Sequence, residues 1–136
     1  MTADGRTVTA ILVAAGASRR MGFDKLSHRL PDGRTVLETS LAAFEHHPAV
    51  DQLVLVAGGN LEQCRGLAAR CGKPAAVVQG GASRADSVRA GVLAARGQLV
   101  AIHDAARPFV SQAVITRALE AAAQTGAAAP AVPVKD

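Results

Sequence analysis

From Val8 to Ala14 the chain is apolar apart from Thr9, and it then breaks at once into Ala15-Gly16-Ala17-Ser18-Arg19-Arg20. Both alternating sets of side chains in that run are apolar, so the run reads as a strand covered on both faces, expected over Thr7 to Ala14. Such a strand belongs in a parallel sheet with helices on either side, which excludes most all-β and all-α arrangements. The small residues that follow let backbone N–H groups close around an anion, as glycine-bearing turns after strands do. Arg20 and Lys25 add positive charge beside that loop, where a polyphosphate needs it. The stretch is neither a Walker loop nor a G-x-G-x-x-G fingerprint, because Gly16 is not followed by the required glycines. It reads as a nucleotide triphosphate site, against the alternative of a loop with a solvated arginine pair.

The rest of the chain alternates in the same sense. Ser18 to Leu30 is polar and irregular, and Pro31-Asp32-Gly33 is a turn. Thr35 and Glu38 form a capping box ahead of a helix that carries Leu37, Leu41 and Phe44 on one face and stops before Pro48. Leu53 to Ala57 is a second apolar strand, followed by Gly58-Gly59 as a turn and Asn60 as a possible N-cap. Leu61, Cys64, Leu67, Ala68 and Cys71 make a helical stripe that ends near Gly72, with Pro74 beyond. Ala75 to Val78 is a third strand, and Gly80-Gly81-Ala82-Ser83 turns into a helix with Ser83 as N-cap. Leu99 to Ile102 is a fourth, buried strand, left through His103-Asp104-Ala105-Ala106-Arg107-Pro108. Ser111 opens a helix carrying Val114, Ile115, Ala118, Leu119 and Ala122, with Gly126 as its stop, and Ala127 to Val134 has the pattern of a fifth strand. This order specifies an α/β protein with a doubly wound, mostly parallel sheet. Ligands of such sheets bind beyond the carboxyl ends of the strands, so residues 15–25, 80–87 and 103–107 point at one crevice.

Composition narrows the partners. With 136 residues, 49% of them hydrophobic, the chain is expected to form one domain with a real core. Aromatic residues make up 2%, so that core is built from Ala, Val, Leu and Ile. A net charge of +4 and a pI near 9.8 suit an anionic partner. There is no dense Lys/Arg block with interleaved aromatics, so nucleic acid is not expected as a partner. Nothing approaches the roughly 18 apolar residues of a membrane span, and the Arg19-Arg20 pair argues against reading the N-terminus as a signal peptide. A cytoplasmic protein without a membrane partner is therefore expected. Cys64 and Cys71 lie too far apart along a helix for a disulfide and read as buried thiols of a reducing compartment.

Other polar positions each carry a plain reading beside the functional one. Gly80-Gly81 could be only a turn, and Ser83 and Asp86 only caps. Ser87, one turn into its helix, gains interest if the first loop holds a nucleotide. Asp104 follows a strand where ligand-facing groups belong, although it could cap a turn or pair with Arg107. His103 reads as a hydrogen-bonded structural histidine. His46 and His47 do not face one metal, because adjacent helical residues diverge, and both are expected at the surface.

Three motifs together resemble the 2-C-methyl-D-erythritol 4-phosphate cytidylyltransferase family. They are Ala14-Ala15-Gly16 with Arg19-Arg20-Met21 and Lys25, then Gly80-Gly81 with Arg84 and Ser87-Val88, then His103-Asp104-Ala105-Ala106-Arg107-Pro108. Pro133-Val134-Lys135-Asp136 also looks like the family's run into its next loop. The first motif is shared by many nucleotidyltransferases, whereas the third is much more specific. The resemblance implies a Rossmann-like nucleotidyltransferase fold and Mg²⁺-dependent transfer of CMP from CTP to a polyol phosphate, methylerythritol phosphate, with release of pyrophosphate. It implies catalytic roles for Arg20 and Lys25. Ala14, Ala15 and Gly16 would line the ribose and phosphates, Gly81, Ala82 and Ser87 the cytosine, and Ala105 the ribose. Asp104 and Arg107 match acceptor-side positions, and no side chain is assigned as a metal ligand, the Mg²⁺ being held mainly by the CTP phosphates.

After the lysine the family usually continues with Gln and an aromatic, whereas this chain has Leu26-Ser27-His28. Family members also continue beyond the point corresponding to Asp136, so residues 1–136 read as an N-terminal nucleotide-binding domain of a homodimer. The alternatives are a ribitol or other sugar-phosphate cytidylyltransferase, or a CTP-binding fragment that is inactive alone.

Overall fold

Strand β1 (Val8–Val13) is buried along its whole length, as its two apolar faces require. The structure, a computed structural model, describes residues 1–16 and 25–130. Strands β2 (Gln52–Ala57), β3 (Ala75–Gln79) and β4 (Leu99–Asp104) complete a four-stranded sheet in the order β3-β2-β1-β4. All three pairings are parallel. The chain steps outward from β1 to β2 to β3 and then returns to the other side of β1, so the direction of winding reverses between β1 and β4. That reversal is where a doubly wound sheet opens its binding crevice.

Alternation along the strands divides the core in two. Val8, Ala10, Leu12 and Ala14 face the same way as Leu53, Leu55 and Ala57. Helices α1 (Val36–Glu45), α2 (Leu61–Arg70) and α4 (Gln112–Thr125) cover this face with Leu37, Leu41, Phe44, Cys64, Leu67, Ile115 and Leu119. Ile11, Val13, Val54 and Val56 form the other face, under α3 (Arg84–Ala94). Helix α3 packs across β1, β2 and β3. It therefore leaves the β4 side chains on its own side of the sheet open: Val100 is 39% and Ile102 45% exposed. The fourth strand is thus only half buried, contrary to what its apolar run implies.

Local signals set most of the boundaries. Thr35 and Glu38 form the expected capping box, each side chain accepting the other's backbone N–H. Ser83 and Ser111 cap α3 and α4 through Asp86 N–H and Val114 N–H. Gly126 ends α4 in the left-handed region, at φ 92°. Between Lys25 and Ser27 the chain makes a short 3-10 turn that buries Leu26 in the core, while the part of the expected irregular stretch from Ser18 to Asp24 lies outside the described residues.

Other expectations are corrected. The fourth strand does not end at Ile102: Asp104 pairs with Val13, and Ala105 N–H donates to the Val13 carbonyl at 3.0 Å, so His103 and Asp104 are strand residues. Residues 127–130 form no strand, and residues 131–136 of the expected fifth strand lie outside the described residues. His47 is buried, although His46 is exposed. Its ring meets Thr116 Oγ1 at 2.8 Å, and its Nδ1 accepts Ala49 N–H at 3.1 Å, which joins the end of α1 to α4. Burial and the nearby Lys73 charge hold this imidazole below the ordinary histidine value. Cys64 is buried and Cys71 half-buried, and neither is in a disulfide. Among the described residues, no helix is long and apolar enough to cross a membrane.

Candidate active site

The sheet register brings the first and fourth loops together. Val13 stands opposite both Val56 and Asp104, so the chain leaves β1, β2 and β4 at nearly the same level. Ala14 is buried and its N–H donates to the Val56 carbonyl at 2.8 Å. Ala15 is half-buried, and Gly16 is exposed with φ 80°, a conformation that side-chain-bearing residues rarely adopt. The backbone therefore turns sharply out of β1 at the first expected phosphate position.

The third loop closes directly on the first. A Cβ placed on Gly80 would stand 2.9 Å from the Ala15 Cβ, 2.6 Å from Ser87 Oγ and 3.2 Å from the Ala57 carbonyl oxygen. Only a residue without a side chain fits there, so Gly80 is more than a turn residue. Ser87 is buried, and its Oγ accepts Gly81 N–H at 3.2 Å. A helix residue thereby fixes the glycine loop, while Gly81 and Ala82 stay exposed. Ser83 caps α3 by accepting Asp86 N–H, the simpler of its two readings.

The fourth loop is fastened by side chains. Asp104 Oδ1 accepts Ala106 N–H at 3.0 Å, and Arg107 N–H donates to the Asp104 carbonyl at 3.0 Å. Ser40, wholly buried on α1, donates to the Ala105 carbonyl at 2.6 Å. His103 Nε2 bonds the Arg107 carbonyl at 2.8 Å, and its ring lies 4.9 Å from that of Phe44. His103 is thus the structural histidine expected. Asp104 caps the turn, and among the described residues no ion pair joins it to Arg107, whose side chain is exposed. Ala105 is fully buried.

Of the remaining expected residues, Lys25 begins the 3-10 turn and is exposed, while Arg20 lies outside the described residues. The turn is anchored through Leu26 in the core and through Val36 N–H, which donates to the His28 carbonyl at 2.9 Å. A cavity of about 640 Å³ opens between this turn and the start of α2, lined by Ala14, Gly16, Leu26 and residues 59–63. Residues 59–63 were not among the expected site positions, because Gly58-Gly59-Asn60 shows only turn and cap chemistry in the sequence. Among the described residues no three His, Cys, Asp or Glu side chains gather into a metal-holding group.

The profile of the 2-C-methyl-D-erythritol 4-phosphate cytidylyltransferase family matches residues 8–136. The chain belongs to this family. It is 50% identical over 133 residues to the bifunctional enzyme IspD/IspF of Desulforudis audaxviator, covering 93% of this chain and 34% of that protein. It is 42% identical over 132 residues to the 2-C-methyl-D-erythritol 4-phosphate cytidylyltransferase of Symbiobacterium thermophilum, covering 95% of this chain and 56% of the relative. The crystal structure of the Thermus thermophilus cytidylyltransferase superimposes with a TM-score of 0.75 at 36% identity, over 96% of this chain and 56% of that one. The chain thus spans between a third and just over half the length of these family members. The α/β nucleotidyltransferase fold expected from the motifs is the fold observed.

Proposed function

We propose that this chain carries the nucleotide site of a cytidylyltransferase that moves CMP from CTP to the phosphate of 2-C-methyl-D-erythritol 4-phosphate. The observation that carries this reading is the convergence of three loops at the carboxyl ends of the strands, with Gly80 pressed against Ala15 and Ser87. Family membership supports the choice of nucleotide and acceptor.

In the proposed reaction an oxygen of the acceptor phosphate attacks the α-phosphorus of CTP. The bond from that phosphorus to the bridging β-oxygen breaks, and pyrophosphate leaves with the electron pair. The attacking phosphate is already a nucleophile, so the protein's work is positioning and charge neutralisation rather than proton abstraction. The backbone of Ala14, Ala15 and Gly16 would hold the ribose and phosphates, Gly81, Ala82 and Ser87 the cytosine, and Ala105, buried with its N–H and carbonyl bonded to Val13 and Ser40, would shape the ribose side from beneath. Arg20 and Lys25 would stabilise the charge developing on the transferred group and on pyrophosphate. Asp104 and Arg107 would face the acceptor.

A divalent cation, Mg²⁺ by preference, fits these residues as a companion of the nucleotide. Among the described residues no three His, Cys, Asp or Glu side chains gather, so the ion would take most of its ligands from phosphate oxygens and water, with one or two carboxylates at most. When bound it supplies further neutralisation of the polyphosphate. The fraction of its relatives' length that the chain spans favours a second reading, in which residues 1–136 bind CTP but turn over only within a longer chain.

Pyrophosphate release from CTP, Mg²⁺ and methylerythritol phosphate tests the proposal, measured on this chain and on a version extended to its relatives' length. Release from either is expected, and release from neither overturns the assignment. In whichever chain is active, Lys25→Ala or Arg20→Ala should lower kcat by about 10²-fold or more with a smaller change in CTP affinity. Unchanged turnover in both variants would refute their catalytic roles.

A further inference from the structure

Asn60 stands at the start of α2, in the position and with the side chain of a helix cap, yet it makes no capping bond. Its backbone, at φ −101° and ψ 29°, is outside the extended region from which a cap side chain reaches the next turn. The side chain points the other way. Its Oδ1 accepts Gly58 N–H at 2.9 Å, and its Nδ2 donates to the Ala14 carbonyl at 3.3 Å. The Gly58 N–H requires an oxygen as its partner, which fixes the orientation of the amide and leaves the NH₂ facing Ala14. From β3, Gln79 Nε2 donates to the carbonyls of Ala57 and Gly58, both at 3.2 Å. The carboxyl ends of β1, β2 and β3 are therefore tied through one loop.

We infer that Asn60 is a positioning residue, a clamp that holds the Ala14 carbonyl and so sets where the phosphate-facing turn at Ala15–Gly16 leaves β1. The inference rests on the nucleotide reading of that turn. The position is suited to the task because Ala14 and Gly16 line the same cavity as Asn60. Asparagine can serve both contacts at once, one amide end accepting and the other donating. Alanine has neither group, and serine carries donor and acceptor on one oxygen of a shorter side chain that does not span both partners, although serine is a good helix cap.

Asn60→Ser and Asn60→Ala separate a clamp from a helix start. If position 60 only begins α2, Asn60→Ser leaves the protein unchanged and Asn60→Ala differs from it. As a clamp, both variants lose the same two bonds and lower the thermal midpoint alike, by a few degrees. Both then show amide hydrogen exchange faster by about tenfold at Gly58, whose N–H bonds Asn60 Oδ1, and at Ala15, whose N–H shares a peptide unit with the Ala14 carbonyl, and both bind CTP with Mg²⁺ about 5- to 10-fold more weakly. Unchanged exchange at Ala15 in Asn60→Ser overturns the clamp. Faster exchange with undiminished CTP affinity, in a chain whose parent binds CTP, overturns its positioning role. If the parent chain binds no CTP while exchange accelerates in both variants, the clamp stands and the nucleotide reading falls.

Discussion

Two loops leave the same end of the sheet and are built on opposite principles. The loop from Gly80 to Ser87 is shaped by missing side chains: Gly80 fits between Ala15, Ser87 and Ala57 only because it has no Cβ. The loop from His103 to Arg107 is shaped by side chains, with Ser40, His103 and Asp104 each bonding its backbone. The difference follows from what each is proposed to meet. A loop that packs against the turn beside a nucleotide needs bare backbone at close range, whereas a loop that presents a charged pair to an acceptor needs a stiff base beneath it. The first arrangement fails by addition of atoms and the second by their removal.

Substitutions at the two loops should therefore have opposite signatures. The largest effect is expected for Gly80→Ala. Ser87 Oγ can rotate away only by releasing Gly81 N–H, and the Ala15 Cβ has no rotamer to change. Overpacking of this kind costs about 1–3 kcal/mol, read as a lower denaturation midpoint, and CTP affinity should fall with it. A variant as stable as the parent, with intact CTP binding, would show that the contact yields easily and that the loop is not shaped by close approach. A smaller effect is expected for Ser40→Ala, which leaves the Ala105 carbonyl without the partner it has at 2.6 Å. The loss is about 1–2 kcal/mol. In an active chain the KM for the acceptor should rise more than the KM for CTP. Unchanged KM values for both substrates would show that this side chain does not stiffen the loop and would dissolve the contrast.

The same contrast explains what could be read from the sequence. Strands buried on both faces and helices with local caps announce themselves, since β1, the Thr35–Glu38 box, Ser83, Ser111 and Gly126 depend on neighbours within a few positions. Apart from Lys25, the expected site residues among those described follow the ends of β1, β3 and β4, because short motifs after parallel strands are forced to one edge of the sheet. Features that depend on distant partners were not legible. Asn60 has the chemistry of a cap and is turned to Ala14 instead. His47 looks like a surface residue and is buried by Thr116, 69 positions away. Val100 and Ile102 read as core, and their exposure is decided by where α3 lies across the sheet.

The most direct test of the central claim, that these loops form one nucleotide site, is a CTP titration in the presence of Mg²⁺ followed by amide chemical shifts. The account predicts saturable shifts concentrated at Ala15, Gly16, Gly81, Ala82, Ser87 and Ala105, with the amino ends of the strands around Thr9 and Gly97 unmoved. Saturable shifts centred elsewhere, or confined to one of these loops, would contradict it.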